Sequence, residues 1–286
     1  MKSKNKIFLV NFSIVLIIIG LLFSSCSPRR AINPDVTVPY TVTNMATIAP
    51  TATPVPLPEI TLNQGDYYFT VNGRQSFIFS RNMAGYKPEQ YFELLDLTRS
   101  GGSQLVRVQL DSMGTGMNND GEIDEVWARN WEQVFDKAAD KGLYVLPVFS
   151  GWFDWNGGEG FSTWKDNSFN AANGGPAENP TELLKKDSAT QKMWLAWMGK
   201  LVKRWEGQKN ILAWEIFSEI NLITDATEAP SVEFIESAAT VMHKNDAIQR
   251  PITASLADIG EWSSFYQSEA IDFINIVDMR LTIEYK

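Results

Sequence analysis

From about residue 66 onward, short apolar runs alternate with stretches whose apolar positions recur every three or four residues. The first pattern fits buried strands and the second fits helices packed on them. SFIFS (76–80) predicts a first strand, and Pro88 is suited to the first turn of a helix that runs to Ser100 and stops at Gly101-Gly102. QLVRVQL (104–110) predicts the second strand. Trp127, Trp131, Val134, Phe135 and Ala138 then share one helical face, with Gly142 closing the helix. LYVLPVF (143–149) is the third strand. Ser188 and Gln191 form a capping-box pattern ahead of a stripe of Trp194, Trp197, Met198, Leu201, Val202 and Trp205, which is core packing against a sheet. ILAWEIFSEINL (211–222) predicts the fourth strand, Ser231 to Lys244 a helix, PITASLA (251–257) a fifth strand and DFINIV (272–277) a sixth.

This order predicts an α/β fold, a (β/α)8 TIM barrel with about six β/α units present. A doubly wound open sheet is the alternative, but GGEGF (157–161) lacks the spacing and the Lys-Ser/Thr of a phosphate-binding loop. For 211–222 a helix competes with the strand, since Glu215, Ser218 and Glu219 would share one polar face. A helix has just ended at Gly207, however, and the alternation then requires a strand. On a strand Glu215 and Glu219 point to the same side, and Glu219 lies nearer the carboxyl end, which is the active face of a barrel. A buried, unpaired carboxylate costs several kcal/mol or loses its charge, so both need a partner or a task.

Nearly 40 residues separate the third strand from the next helix, a length that points to function. SGWFDWNGG (150–158) sets Trp152, Asp154, Trp155 and Asn156 at the active end, with Trp164 beyond. Indole rings pack on the apolar faces of sugars while carboxylates and amides take the hydroxyls, so the composition suits a neutral polysaccharide. A loop pinned by its own tryptophans explains the same residues equally well.

The ends of the chain change the picture. Lys2, Lys4 and Lys6, the apolar stretch Ile7–Phe23 and Ser24-Ser25-Cys26 make residues 1–26 a signal similar to those of bacterial lipoproteins, with Cys26 as the lipidated residue. An uncleaved membrane anchor is the other reading. Residues 27–58, with seven prolines and six threonines, form an extended tether to the barrel region, 59–286. The protein is thus expected at the cell surface or in the periplasm, held to a membrane by lipid. The net charge of −9 argues against nucleic acid as a partner. Cys26 is the one cysteine and His243, at a helix end, the one histidine, so neither a disulfide, a cysteine nucleophile nor a metal site is expected, and no cofactor.

KRWEGQKNILAWEIFSEINL resembles the fourth-strand region of clan A glycoside hydrolases, especially the family 5 cellulases and mannanases, where Trp-Glu-x-x-Asn-Glu ends the strand. FTVNGRQSFIFSRN, LVRVQL and RPITASL agree in order and spacing. The resemblance implies a retaining glycosidase acting on β-linked glucan or mannan, with Glu219 as acid/base and Arg107 positioning a nucleophilic Glu. Apolar Ile216, Phe217 and Ile220 would raise the pKa of Glu219 as the acid role demands. The chain departs from the family at Ser218, which replaces Asn, and in lacking the histidines of the third and sixth strands. The family's nucleophile ends a seventh strand, and a full barrel takes roughly 250 residues. The sequence therefore reads as the front part of a longer enzyme, its nucleophile beyond residue 286 and RLTIEYK (280–286) alien to the fold. A non-catalytic carbohydrate-binding lipoprotein on a decayed barrel is the alternative.

Overall fold

The computed structural model describes residues 55–62, 68–118, 120–156, 163–258 and 260–275. Cys26, the signal-like segment, most of the tether, GGEGF and RLTIEYK lie outside them. A small antiparallel sheet comes first, built from β1 (Ile60–Thr61), β2 (Phe69–Val71) and β3 (Arg74–Ser76). Asn72 and Gly73 turn the β2–β3 hairpin with φ of 48° and 76°, the paired left-handed geometry that Asn-Gly favours.

The main sheet is parallel and five-stranded, ordered as in the sequence: β4 (Ser80–Met83), β5 (Leu105–Gln109), β6 (Tyr144–Gly151), β7 (Trp214–Ser218) and β8 (Ile252–Thr253). Four helices alternate with these strands: α1 (Pro88–Ser100), α2 (Glu125–Asp140), α3 (Ala189–Trp205) and α4 (Glu228–Asn245). Every residue of β5 and β7 is buried, as strands covered on both faces must be.

The helix ends follow their sequence signals. Pro88 opens α1, and Asp124 caps α2 by accepting from the N–H groups of Val126 and Trp127. Gly142 leaves α2 at φ 66°, and a Cβ there would meet Pro56 O at 2.9 Å, so glycine is required on two counts. Ser188 Oγ accepts from Gln191 N–H at 2.9 Å, while the Gln191 side chain accepts from Asp187 N–H rather than from Ser188. The helix predicted from Ser231 starts three residues earlier, at Glu228.

Aromatic residues fill the space between helices and sheet. Trp127 on α2 meets Trp197 and Trp205 of α3 with ring centroids 6.0 Å apart in each pair, and Phe149 of β6 meets Trp214 of β7 at 5.7 Å. Truncating any one to alanine would cost roughly 3–5 kcal/mol. At the opposite end from the active face, Arg250 donates to the carbonyls of Glu206, Gln208 and Ile211 and pairs with Asp246 at 2.7 Å. It thereby satisfies backbone groups left open where α3 ends and β7 begins.

Three predicted strands need correction. SFIFS is not the first parallel strand: Phe77 and Phe79 are 71% and 78% exposed, and the strand is the polar SRNM that follows. Its polarity is that of an edge, since β4 pairs with β5 alone among the described residues and sends only Met83 fully into the core. PITASLA forms strand at Ile252–Thr253 only; beyond it Ser255 still donates to Phe217 O of β7 but accepts from Ile220 N–H in the turn that follows β7. Residues 272–275 of DFINIV are not strand, although Asp272 N–H donates to Ile252 O, and 276–277 lie outside the described residues. No helix among the described residues is long and apolar enough to cross a membrane.

Candidate active site

The carboxyl ends of β5, β6 and β7 bring the site together. Arg107 of β5 is 2% exposed and grips fully buried Glu215 of β7 with two bonds of 2.6 Å, from Nε to Oε2 and from Nη2 to Oε1. Its remaining donors reach Asn82 Oδ1 at 2.9 Å and Ser218 Oγ at 2.8 Å. Glu215 also accepts from Ser255 Oγ at 3.1 Å and Asn275 Nδ2 at 2.8 Å. A buried ion pair is tolerable only when its lone pairs and protons are satisfied in this way. Glu215 is the hydrogen-bonded structural acid that its place low on the strand predicts.

Glu219 is different. It lies one residue past the end of β7 rather than on the strand, with φ 56° and ψ 48° in the left-handed region. The parity argument therefore does not place its side chain; the turn does. The carboxyl is buried, which pushes its pKa above the ordinary glutamate value, and Glu215 adds to the rise; the Arg107 charge and the Trp152 indole beside it oppose the shift. Ile216, Phe217 and Ile220 around it have no exposed surface, as the desolvation argument requires.

Within the loop after β6 the predicted residues separate. Trp152, partly exposed, is the one that reaches Glu219. Trp155 is 1% exposed, its ring 5.5 Å from that of Trp164 and 5.1 Å from that of Phe169, so it pins the loop and offers no face to a sugar. Asn156 accepts from Thr224 Oγ1 at 3.1 Å, and Trp164 is partly buried beneath the same loop. Asp154 is buried beside Thr163, whose hydroxyl donates to it, and burial raises its pKa to about 7. It faces inward, not toward a ligand.

Asp111, just past β5, is the group the sequence argument missed. Its Oδ2 accepts from Gly151 N–H at 2.5 Å, while Oδ1 is buried with no partner among the described residues. Burial, then the charge of Asp154, hold this carboxyl well above its usual range. Both acids line a cavity of about 10 Å³ under the loop, together with Asn167 and Trp197. A carboxylate closing an apolar strand at the active end of a barrel was the signal that marked Asp111. His243 is exposed in the last turn of α4. Among the described residues no group of three or more His, Cys, Asp or Glu could hold a metal.

This geometry can be set against known structures. The chain is similar to a β-1,4-D-mannanase from Cryptopygus antarcticus, with TM-score 0.50 and 11% identity over 74% of this chain and 66% of that one. It is similar likewise to an endo-1,4-β-mannanase from Eisenia fetida, with TM-score 0.50 and 12% identity over 76% and 66%. The fold is a (β/α) barrel. The chain spans just under two thirds of the length of the mannanases whose barrel it shares. No protein-family model matches the sequence, and no curated protein matches it. In the barrel's frame Glu219, Arg107, Ser218 and Trp152 stand at the carboxyl ends of the strands, and Trp155 and Asp154 are buried in the packing there.

Proposed function

We propose that this protein is a glycoside hydrolase acting on a β-linked polysaccharide, glucan or mannan, by retaining double displacement, with Glu219 as the acid/base. The observation that carries the reading is Glu219 itself: a buried carboxyl with a raised pKa, left out of the ion pair four residues earlier and presented by a strained turn at the barrel's active end. A protonated Glu219 would donate to the glycosidic oxygen as the leaving group departs, and once ionised it would draw a proton from the incoming water. The Trp152 N–H would stabilise the carboxylate in the interval. Arg107, bonded to Glu215, Asn82 and Ser218, would hold the strand ends in register and position the nucleophilic Glu. No described carboxylate is assigned as nucleophile; Glu215 is buried and fully bonded.

A second reading has one observation in its favour. Ser218, in the place of the family's Asn, accepts from Arg107 at 2.8 Å instead of being left to a sugar hydroxyl. A carbohydrate-binding protein without turnover would carry the same barrel. The test is release of reducing sugar from β-mannan and β-glucan by the parent and by Glu219→Gln, alongside equilibrium binding of the oligosaccharides. Loss of about a hundredfold or more in kcat with binding retained supports the acid/base. Binding by the parent with no hydrolysis selects the second reading.

A further inference from the structure

Ser255 follows β8 and has no exposed surface. It makes four hydrogen bonds to the segment 215–220. Its N–H donates to Phe217 O at 3.0 Å, and its carbonyl accepts from Ile220 N–H at 3.1 Å. Its hydroxyl accepts from Glu219 N–H at 3.2 Å and donates to Glu215 Oε1 at 3.1 Å. A hydroxyl has one proton and two lone pairs, so both side-chain bonds are made at once.

The geometry needs such a clamp. A residue with a Cβ in the left-handed region costs about 1–2 kcal/mol and stays there only when its surroundings fix it. The bonds from Phe217 and Ile220 bracket the turn, and the one from Glu219 N–H sets the orientation of the peptide that carries the acid. We propose that Ser255 is the positioning residue of Glu219: its hydroxyl holds the Glu219 amide in the left-handed turn, fixes the direction of the carboxyl, and ties it to the buried Arg107–Glu215 pair. The charged groups that act on Glu219 are Arg107 from β5 and Glu215 from β7. Ser255 carries no charge, so its removal acts on Glu219 through geometry. The catalytic half of this inference rests on the acid/base reading of Glu219; the geometric half does not.

The experiment follows Trp152 emission in the full chain across the acid and neutral range, with Trp152→Phe subtracted and Glu219→Gln as the blank that abolishes the transition. In Ser255→Ala the carboxyl is expected to leave the indole, so the transition shrinks. Thr253→Ala is the control. It removes a buried hydroxyl bond of 2.7 Å to Phe273 O from the same strand, and it should leave the transition in place. Should Ser255→Ala be too unstable to study, Ser255→Cys, close in size but a poor donor and acceptor, carries the same expectation. A folded Ser255 variant that keeps the parental transition overturns the proposal, as does an equal change in Thr253→Ala. Where the parent hydrolyses polysaccharide, Ser255→Ala should lower kcat by about 10–100-fold with little change in KM. A transition lost in Ser255→Ala, together with a parent that shows no turnover, would sink the acid/base reading and leave the positioning role standing.

Discussion

Glu215 and Glu219 lie four residues apart and meet opposite environments. The first is surrounded by donors from Arg107, Ser255 and Asn275; the second has a desolvated carboxyl with an indole N–H against it. Donors surround one carboxyl, while burial discourages charge on the other, which is the difference between a structural ion pair and the acid proposed for catalysis. Removing Arg107 should show what the pair does for the fold. Arg107→Met leaves Glu215 buried and unpaired, at an expected cost of about 3–5 kcal/mol in urea denaturation. The double variant Arg107→Met/Glu215→Leu should recover most of it, since an apolar pair of similar volume needs no partners. A single variant within about 1 kcal/mol of the parent would mean that water reaches Glu215.

At the scale of elements, the strands buried on both faces were legible and the edge was not. LVRVQ and WEIFS stand out because a strand covered on two sides must be apolar throughout except where a polar residue has a partner waiting, as Arg107 and Glu215 have in each other. SRNM gives no such signal, since an edge strand is held by one neighbour's ladder and needs little apolar surface. The left-handed conformation of Glu219 was not legible, because the turn that carries it is bonded by Ser255, which follows β8 and is distant in sequence. The loop after β6 was half legible: its tryptophans were visible, but nothing local tells Trp152 at the site from Trp155 in the packing. That loop rests on Asp154 and Asp111, and its stability should follow pH. With its pKa raised to about 7, folded Asp154 holds a proton that the unfolded chain has already lost above its ordinary value near 3.8. Stability from this group therefore declines as pH rises through the window between those values and levels off above it. Thermal denaturation of Asp154→Asn should show a shallower decline across that window, and a higher midpoint than the parent at the alkaline end. An unchanged slope would place the titration elsewhere.

Across the whole molecule, the barrel was predicted from alternation, and its five parallel strands run in sequence order as a barrel, unlike a doubly wound sheet, requires. The candidate site lies at the carboxyl ends of the strands, and at the other end Arg250 satisfies backbone carbonyls. Such a division lets the same molecule be stable at its base and strained at its rim. The left-handed Glu219 measures how far that strain goes. Asparagine tolerates this backbone region and brings no buried charge, so Glu219→Asn should make the protein harder to melt, by about 2–4 °C for each kcal/mol relieved. On the acid/base reading a glutamate stands where a more comfortable residue would serve the fold better, and the rise in melting temperature measures what holding it there costs the fold.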